Sequence, residues 1–311
     1  MILTVTLNPA IDLTVTVTGL ELGHSHRVGP SQRRAGGKGV NVARVLTREG
    51  IRAAVIAPVG GDSGAEFARD LERASIPAEL VASDSPTRLS TAVHESDTGR
   101  ATLFNEHGSP LSAGTRYALL AAIRNCAAGC VVVAGSLPLG TPAALVGDIV
   151  AAARERGVPT VVDVSGEALL TAASAGATVA KANLSEISAA TGLPDPRQAA
   201  RQLLRAGARW VVVTSGSSGL LATDGDILHQ AAPPVTLAGN PTGAGDAATA
   251  AIAASILDSG ADALADPAAI ARAVAWSASA VLAPVAGELN PRWREFLADT
   301  RVTTEKCGAA P

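Results

Sequence analysis

Short, nearly uninterrupted β-branched runs recur along the chain, separated by longer Ala/Leu-rich stretches. The runs include Leu3–Leu7, Ala53–Ala57, Cys130–Ala134, Thr160–Val164, Thr178–Lys181 and Trp210–Thr214. Successive strand side chains point to opposite faces, so a strand that is apolar at every position must be covered on both. Helical stretches such as Val40–Arg48, Ala65–Ala74, Thr141–Arg156 and Pro196–Ala206 lie between the runs. The alternation predicts an α/β fold with parallel strands and crossover helices in an α/β/α sandwich. Ligands are then expected on loops at the C-terminal ends of the strands. A chain of 311 residues can form two domains, but neither a repeat nor a low-complexity linker divides it, so one domain over 1–311 is expected.

Two segments depart from this rhythm. Asp12–Thr18 and part of Leu89–Phe104 alternate apolar and polar residues, the period of a strand with one wet face. They suit a small exposed β-flap, formed by about 12–32 and 86–105, beside the main sheet. The tail, about 300–311, lacks apolar periodicity and is expected to be loose.

Composition narrows the function classes. Aromatic residues make up only 2% of the chain, so the core must be built from Ala, Val, Leu and Ile. The net charge of −3, without a basic block, argues against a nucleic-acid partner or a polybasic membrane contact. Cys126, Cys130 and Cys307 are too few and too oddly spaced for a disulfide framework or a metal knuckle, and the first two are expected to be buried thiols. The start, MILTVTLNPAID, does not resemble a signal peptide, and no apolar stretch is long enough to span a membrane. A cytoplasmic protein is expected.

Three glycine- or Asx-containing turns could carry chemistry. In Gly239-Asn-Pro-Thr-Gly-Ala-Gly-Asp246 a glycine-rich turn opens into an Ala-rich helix. Small residues let backbone N–H groups approach an anion at the helix start. Asp246, on the first turn, can accept a proton from a substrate hydroxyl while the N–H groups hold a phosphoryl group. The helix dipole is expected to lower its pKa and make it a weak base. Alone, the run reads equally well as a turn with an N-capping Asp. Ala35-Gly36-Gly37-Lys38-Gly39-Val40-Asn41 is a second turn before a helix; it is neither a Walker A loop nor GxGxxG, and it is either a hydroxyl-binding turn or a packing turn. In Thr4-Val-Thr-Leu-Asn8-Pro9-Ala10-Ile11-Asp12 a strand ends in Asn-Pro and then a carboxylate, fit for sugar hydroxyls or for a β-turn.

Weaker pieces follow the other strands. Asn183 and Glu186, three apart, suit a hydrated Mg²⁺ or a capping box. Thr214-Ser215-Gly216 can wrap a nucleotide phosphate, and Gly135-Ser136-Leu137-Pro138 follows a buried strand. Arg88, before the second flap strand, can pair with a substrate phosphate or be merely solvated.

The ordered set TLNPAID, AGGKGVNVARVL, PTRLS, GSLP, ANLSE, VVTSGSSG and NPTGAGD resembles the PfkB (ribokinase-like) carbohydrate kinase family from about Met1 to Leu297. Within it, TLNPAID and AGGKGVNVA are most similar to the branch containing 1-phosphofructokinase and tagatose-6-phosphate kinase. The resemblance implies a mostly parallel sheet between helices and a β-lid over the sugar. It implies that Asp246 is the general base, with Gly243, Ala244 and Gly245 as the anion hole. It places Asp12, Gly36, Gly37, Lys38, Asn41 and Arg88 on the substrate, Arg88 at its existing phosphate. Asn183, Thr214, Ser215, Gly216, Gly219 and Thr242 fall to ATP, and Asn183 and Glu186 to Mg²⁺, through water. The products would be ketohexose bisphosphates.

Some positions depart from the family pattern. Ala182 replaces the Pro of Lys-Pro-Asn-x-x-Glu, and Ala247-Ala248 stand where a Ser is usual. Arg88 is followed by Leu-Ser-Thr-Ala, without the Lys usual in 1-phosphofructokinases, which shifts the expectation toward a 6-phosphorylated ketohexose. A kinase for an unphosphorylated sugar or nucleoside and a non-catalytic sugar- or nucleotide-binding regulator remain the competing readings. Apolar flap positions such as Leu13 and Val15 suggest a homodimer through the flap.

Overall fold

The computed structural model describes residues 1–237, 239 and 241–307. Ile2–Val5 (β1) enters the main sheet, and Ala10–Val17 (β2) and Gln32–Gly36 (β3) leave it as the first half of a lid. Lys38–Arg48 (α1), Ala53–Val59 (β4), Gly61–Arg73 (α2) and Ala78–Ala82 (β5) return to the main layers. Arg88–Glu95 (β6) and Ala101–Asn105 (β7) complete the lid. A βα series follows: Ala113–Asn125 (α3), Cys130–Ala134 (β8), Ala144–Glu155 (α4), Thr160–Asp163 (β9), Glu167–Ser174 (α5) and Val179–Asn183 (β10). Leu184–Thr191 (α6), Pro196–Ala206 (α7) and Trp210–Thr214 (β11) extend it. Leu220–Thr223 (β12) and Ile227–Ala231 (β13) form a hairpin before Ala244–Ser259 (α8), Pro267–Val281 (α9), Trp293–Asp299 (α10) and Val302–Lys306 (β14).

The main sheet has ten strands in the order β14-β13-β12-β11-β10-β9-β8-β1-β4-β5. From β5 to β11 neighbours are parallel; β12 to β14 are antiparallel. One face packs on α1, α2, α8 and α9, and the other on α3, α4, α5, α6 and α7. This is the expected sandwich, and burial explains it: β8 and β9 are buried at every position. The near absence of aromatic residues shows in α8, whose alanines let it lie buried from Asp246 to Ile256. Local signals fix the ends of some helices. Asp195 caps α7 by accepting the N–H groups of Arg197 and Gln198, Pro196 opens the helix and Gly207 ends it.

The lid is a separate four-stranded sheet, β3-β2-β6-β7. It begins at Ala10 rather than at about residue 12, because Ala10 and Ile11 already pair with Gly36 and Ala35 of β3. It also takes in Gln32–Gly36, which runs directly into the glycine turn. The tail corrects an expectation. Val302–Lys306 is not loose: it pairs antiparallel with β13, His229 sharing a hydrogen bond with Thr304 (2.9 Å). Its exposed, polar sequence lacks periodicity because it is an edge strand held by its backbone ladder. Residues 308–311 lie outside the described residues. Cys130 is buried as expected, whereas Cys126 is only half-buried.

Candidate active site

A cavity of about 710 Å³ lies between the C-terminal ends of the central strands and the lid. One wall is the start of α8. Gly243 caps the helix at φ 88°, a left-handed conformation suited to glycine, and a side chain there would meet Ala286. Gly243, Gly245 and Asp246 line the cavity, as does Thr242. The N–H groups of Gly245 and Asp246 belong to the first turn, which has no intrahelical acceptors. The Ala244 N–H instead donates to the Pro241 carbonyl at 3.2 Å, and Ala244 does not border the cavity. Asn240, in the same motif, lies outside the described residues.

Asp246 is only 5% exposed and accepts a hydrogen bond from Asn41 Nδ2 at 2.8 Å. Burial, with the negative charge of Asp163 behind it, pushes its carboxyl up to about 6. Lys38, the Asn41 bond and Lys181 oppose this shift without cancelling it. The expectation of a pKa lowered by the helix dipole is therefore overturned. Desolvation of a carboxylate outweighs the partial charge of a helix end. A carboxyl so placed takes up a proton more readily than a surface Asp.

Behind Asp246 is a group that sequence reasoning missed. Asp163, 1% exposed at the end of β9, accepts bonds from Lys181 Nζ and Thr249 Oγ1, both at 2.8 Å. Lys38 Nζ lies 3.7 Å from it. Burial raises the Asp163 pKa, but the two lysines and these bonds outweigh it and bring the carboxyl below its ordinary range. Thr249 also donates to the Gly245 carbonyl, one turn back. Asp163 thus ties β9 and β10 to the first turns of α8. The available signal was a charged residue closing TVVD and another inside VAKAN, both in doubly covered strands.

The sugar-side candidates converge on the same cavity. Asp12, Gly37, Lys38, Asn41 and Arg88 all border it. Gly36 does not; it packs against the Asp12 carboxylate, where any side chain would collide. Two buried oxygens, Asn41 Oδ1 and Thr6 Oγ1, lack hydrogen-bond partners among the described residues. Both residues line the cavity, but the two oxygens themselves are buried, Thr6 Oγ1 beneath Gly39 of α1. Thr6 was not foreseen. Burial pushes the Asp12 carboxyl up, against the pull of Arg34, Arg88 and Arg44. Arg88 Nε donates to the Asn8 carbonyl (3.3 Å) and its Nη1 to the Glu106 carbonyl (3.0 Å).

The nucleotide-side candidates are less concentrated. Asn183, Glu186 and Thr214 border the cavity. Ser215 lines a second hollow of about 450 Å³, while Gly216 and Gly219 bracket a short turn in which Ser215 N–H donates to the Gly219 carbonyl. Asn183 and Glu186 form a true capping box: Asn183 Oδ1 accepts the Glu186 N–H (2.8 Å) and Glu186 Oε2 the Asn183 N–H (2.9 Å). Glu186 Oε1 faces Lys38 Nζ at 3.4 Å. Among the described residues no cluster of three metal-ligating side chains occurs. This donor set fits a hydrated cation that touches Glu186 through water, not a closed protein cage.

Residues 5–291 fit the profile of the pfkB family carbohydrate kinases. The chain belongs to this family. It is 34% identical to 1-phosphofructokinase of Rhodobacter capsulatus over 257 residues, 80% of this chain and 81% of that one. The structure of Escherichia coli phosphofructokinase-2 in complex with fructose-6-phosphate superposes with a TM-score of 0.86 at 28% identity, covering 96% of this chain and 98% of that one. Arabidopsis thaliana ribokinase with ribose and ATP superposes with a TM-score of 0.74 at 20% identity, over 95% and 98% of the two chains. The pfkB kinase described here thus has the ribokinase-like α/β fold, and it is an enzyme of the carbohydrate kinase class.

Proposed function

We propose that this kinase transfers the γ-phosphoryl group of ATP to a hydroxyl of a ketohexose phosphate, giving the bisphosphate. The observation that carries the proposal is the polarity of the cavity. A buried base beside a helix start faces a lid carrying Asp12 and two arginines. The relatives named above, a 1-phosphofructokinase and a phosphofructokinase bound to fructose-6-phosphate, support this substrate class.

The sugar lies with two hydroxyls on Asp12 and others near Asn41, which borders the cavity. Asp246 takes the proton of the attacking hydroxyl, whose oxygen bonds to the γ-phosphorus as ADP departs with the bridging oxygen. The N–H groups of Gly243 and Gly245 receive the charge spread over the transferred group. Lys38, held between Asp163 and Glu186, adds a cation at the same place. Its neighbours, Asp163 first, hold its ammonium above the ordinary lysine range, so it stays charged. Mg²⁺ is the proposed metal, held through water by Glu186 and screening the ATP phosphates. Thr242, Thr214 and Asn183 flank the nucleotide's phosphate end; Ser215, Gly216 and Gly219 shape the loop beside it.

We also propose a homodimer through the outer face of the lid. There Leu13, Thr91 and Phe104 form one cross-strand row, and Phe104 is 57% exposed. A cytoplasmic setting is proposed from the use of ATP and three unpaired cysteines; no described helix is long and apolar enough to cross a membrane.

Purified enzyme with ATP and Mg²⁺ should phosphorylate at least one of fructose 1-phosphate, fructose 6-phosphate and tagatose 6-phosphate. Its kcat/KM for that substrate should exceed those for free fructose, tagatose, ribose and adenosine. Preference for an unphosphorylated acceptor would refute the substrate class.

A further inference from the structure

The lid presents its cavity-facing side chains in register. Asp12 on β2 pairs with Arg34 on β3 and with Ser90 on β6, and Ser90 pairs with Asn105 on β7. Directly paired residues point to the same face of a sheet. The row Arg34–Asp12–Ser90–Asn105 therefore faces the ligand as a unit, and all four residues border the cavity. Arg33, the next residue on β3, points the other way and pairs with Glu66 of α2 at 2.8 Å. Arg88 stands one row nearer the glycine turn, opposite Ala10 and diagonal to Asp12.

Asp12 thus lies between two guanidinium groups that come from the strands on either side of it. The two strands are about 10 Å apart, a gap that two arginines can close from opposite sides. Neither Arg34 nor Arg88 forms a salt bridge among the described residues. Their hydrogen bonds go to carbonyls: Arg34 to Ala286, Arg88 to Asn8 and Glu106. Carbonyl acceptors aim a guanidinium without cancelling its charge. Nearby Arg44 differs, being neutralised by Asp70 at 2.5 Å. Asp12 and Glu106, which also borders the cavity, balance the two half-buried cations in formal charge, but neither carboxylate forms a salt bridge with them, so both guanidiniums can turn to an anionic ligand group. Arg88 has no second Lys or Arg on its own strand, where Leu89-Ser90-Thr91-Ala92-Val93-His94-Glu95 follow. The second cation comes from β3.

We infer that Arg34 is a specificity residue: together with Arg88 it seats the phosphate that the sugar already carries, and it selects phosphorylated over free ketohexoses. The inference rests on the ketohexose-phosphate reading above. A guanidinium–phosphate bond is charge-assisted and bidentate in geometry, which is why a lysine at this position would replace it only in part.

The test is steady-state kinetics of wild type, Arg34→Ala, Arg34→Lys and Arg88→Ala with the three ketohexose phosphates, free fructose and free tagatose. Arg34→Ala should raise KM for the preferred sugar phosphate by roughly 10- to 100-fold, with KM for ATP unchanged. The preference for phosphorylated over free sugar should fall by the same factor, and Arg34→Lys should restore part of it. Three results would overturn the inference: an unchanged KM for the sugar phosphate, an equal rise in KM for ATP, or an equal loss with free sugars. The last two would mark the Ala286 contact as a strut of the fold. The parent reading fails separately, if wild-type enzyme itself prefers free sugars.

Discussion

At the scale of single residues, the site turns on how three buried charges and the half-buried Lys38 are arranged. Asp246 and Asp163 are both buried, and Lys181 and Lys38 stand against them. Asp163 is saturated with partners and stays ionised; Asp246 has one amide bond and a raised pKa. The environment thereby shifts two identical carboxyl groups in opposite directions. Protonated below about pH 6, Asp246 could not act as the proposed base. The pH profile of kcat/KM should therefore fall on its acid side with a midpoint near 6, tenfold per unit below it. A midpoint near 4 would place Asp246 in a far wetter setting. Asp163→Asn should act differently from any change at Asp246. It leaves the buried Lys181 ammonium without its anion, at a cost of about 3–5 kcal/mol. Chemical denaturation of the variant should show a loss of that size. A loss below ~1 kcal/mol would mean that the pair is solvated.

At the scale of elements, legibility differed sharply. The glycine run before α8 and the AGGKG turn before α1 could be read directly, because turn and helix start are local in sequence. The capping box at Asn183 and Glu186 was legible too, and it is present along with the cavity-facing Oε1. The Asp163–Lys181 pair was not: β9 and β10 each show one charge in an apolar run, and only their parallel register makes the two meet. Arg34 was hidden for the same reason, since its place opposite Asp12 is a property of the β2–β3 pairing. The tail failed differently. An exposed edge strand carries no apolar period, so VTTEK read as coil although its backbone completes the sheet. Truncation after Thr300 should therefore lower the thermal midpoint by roughly 2–4 °C, the effect of about 1 kcal/mol in a chain of this size. An unaltered melt would mean that the tail is as loose as its composition suggests.

At the scale of the molecule, the sandwich supplies a rigid floor and the lid a second wall. The two are joined where β2 and β3 meet the glycine turn. The lid's inner face carries the charged Arg34–Asp12–Ser90–Asn105 row beside the Thr14–Ala92–Leu103 row, while its outer face carries the Leu13–Thr91–Phe104 row, whose apolar members need cover. Light scattering at micromolar concentration should give a dimer, and Phe104→Asp should shift it toward monomer. A wild-type monomer would count against pairing through the lid. The central claim concerns Asp246, and Asp246→Asn tests it most directly. The substitution keeps the shape of the side chain and removes a costly buried charge. Turnover of the preferred sugar phosphate should fall roughly 100- to 10,000-fold, while ATP still binds and the thermal midpoint does not drop. Near-normal turnover in a folded, ATP-binding Asp246→Asn enzyme would contradict the account.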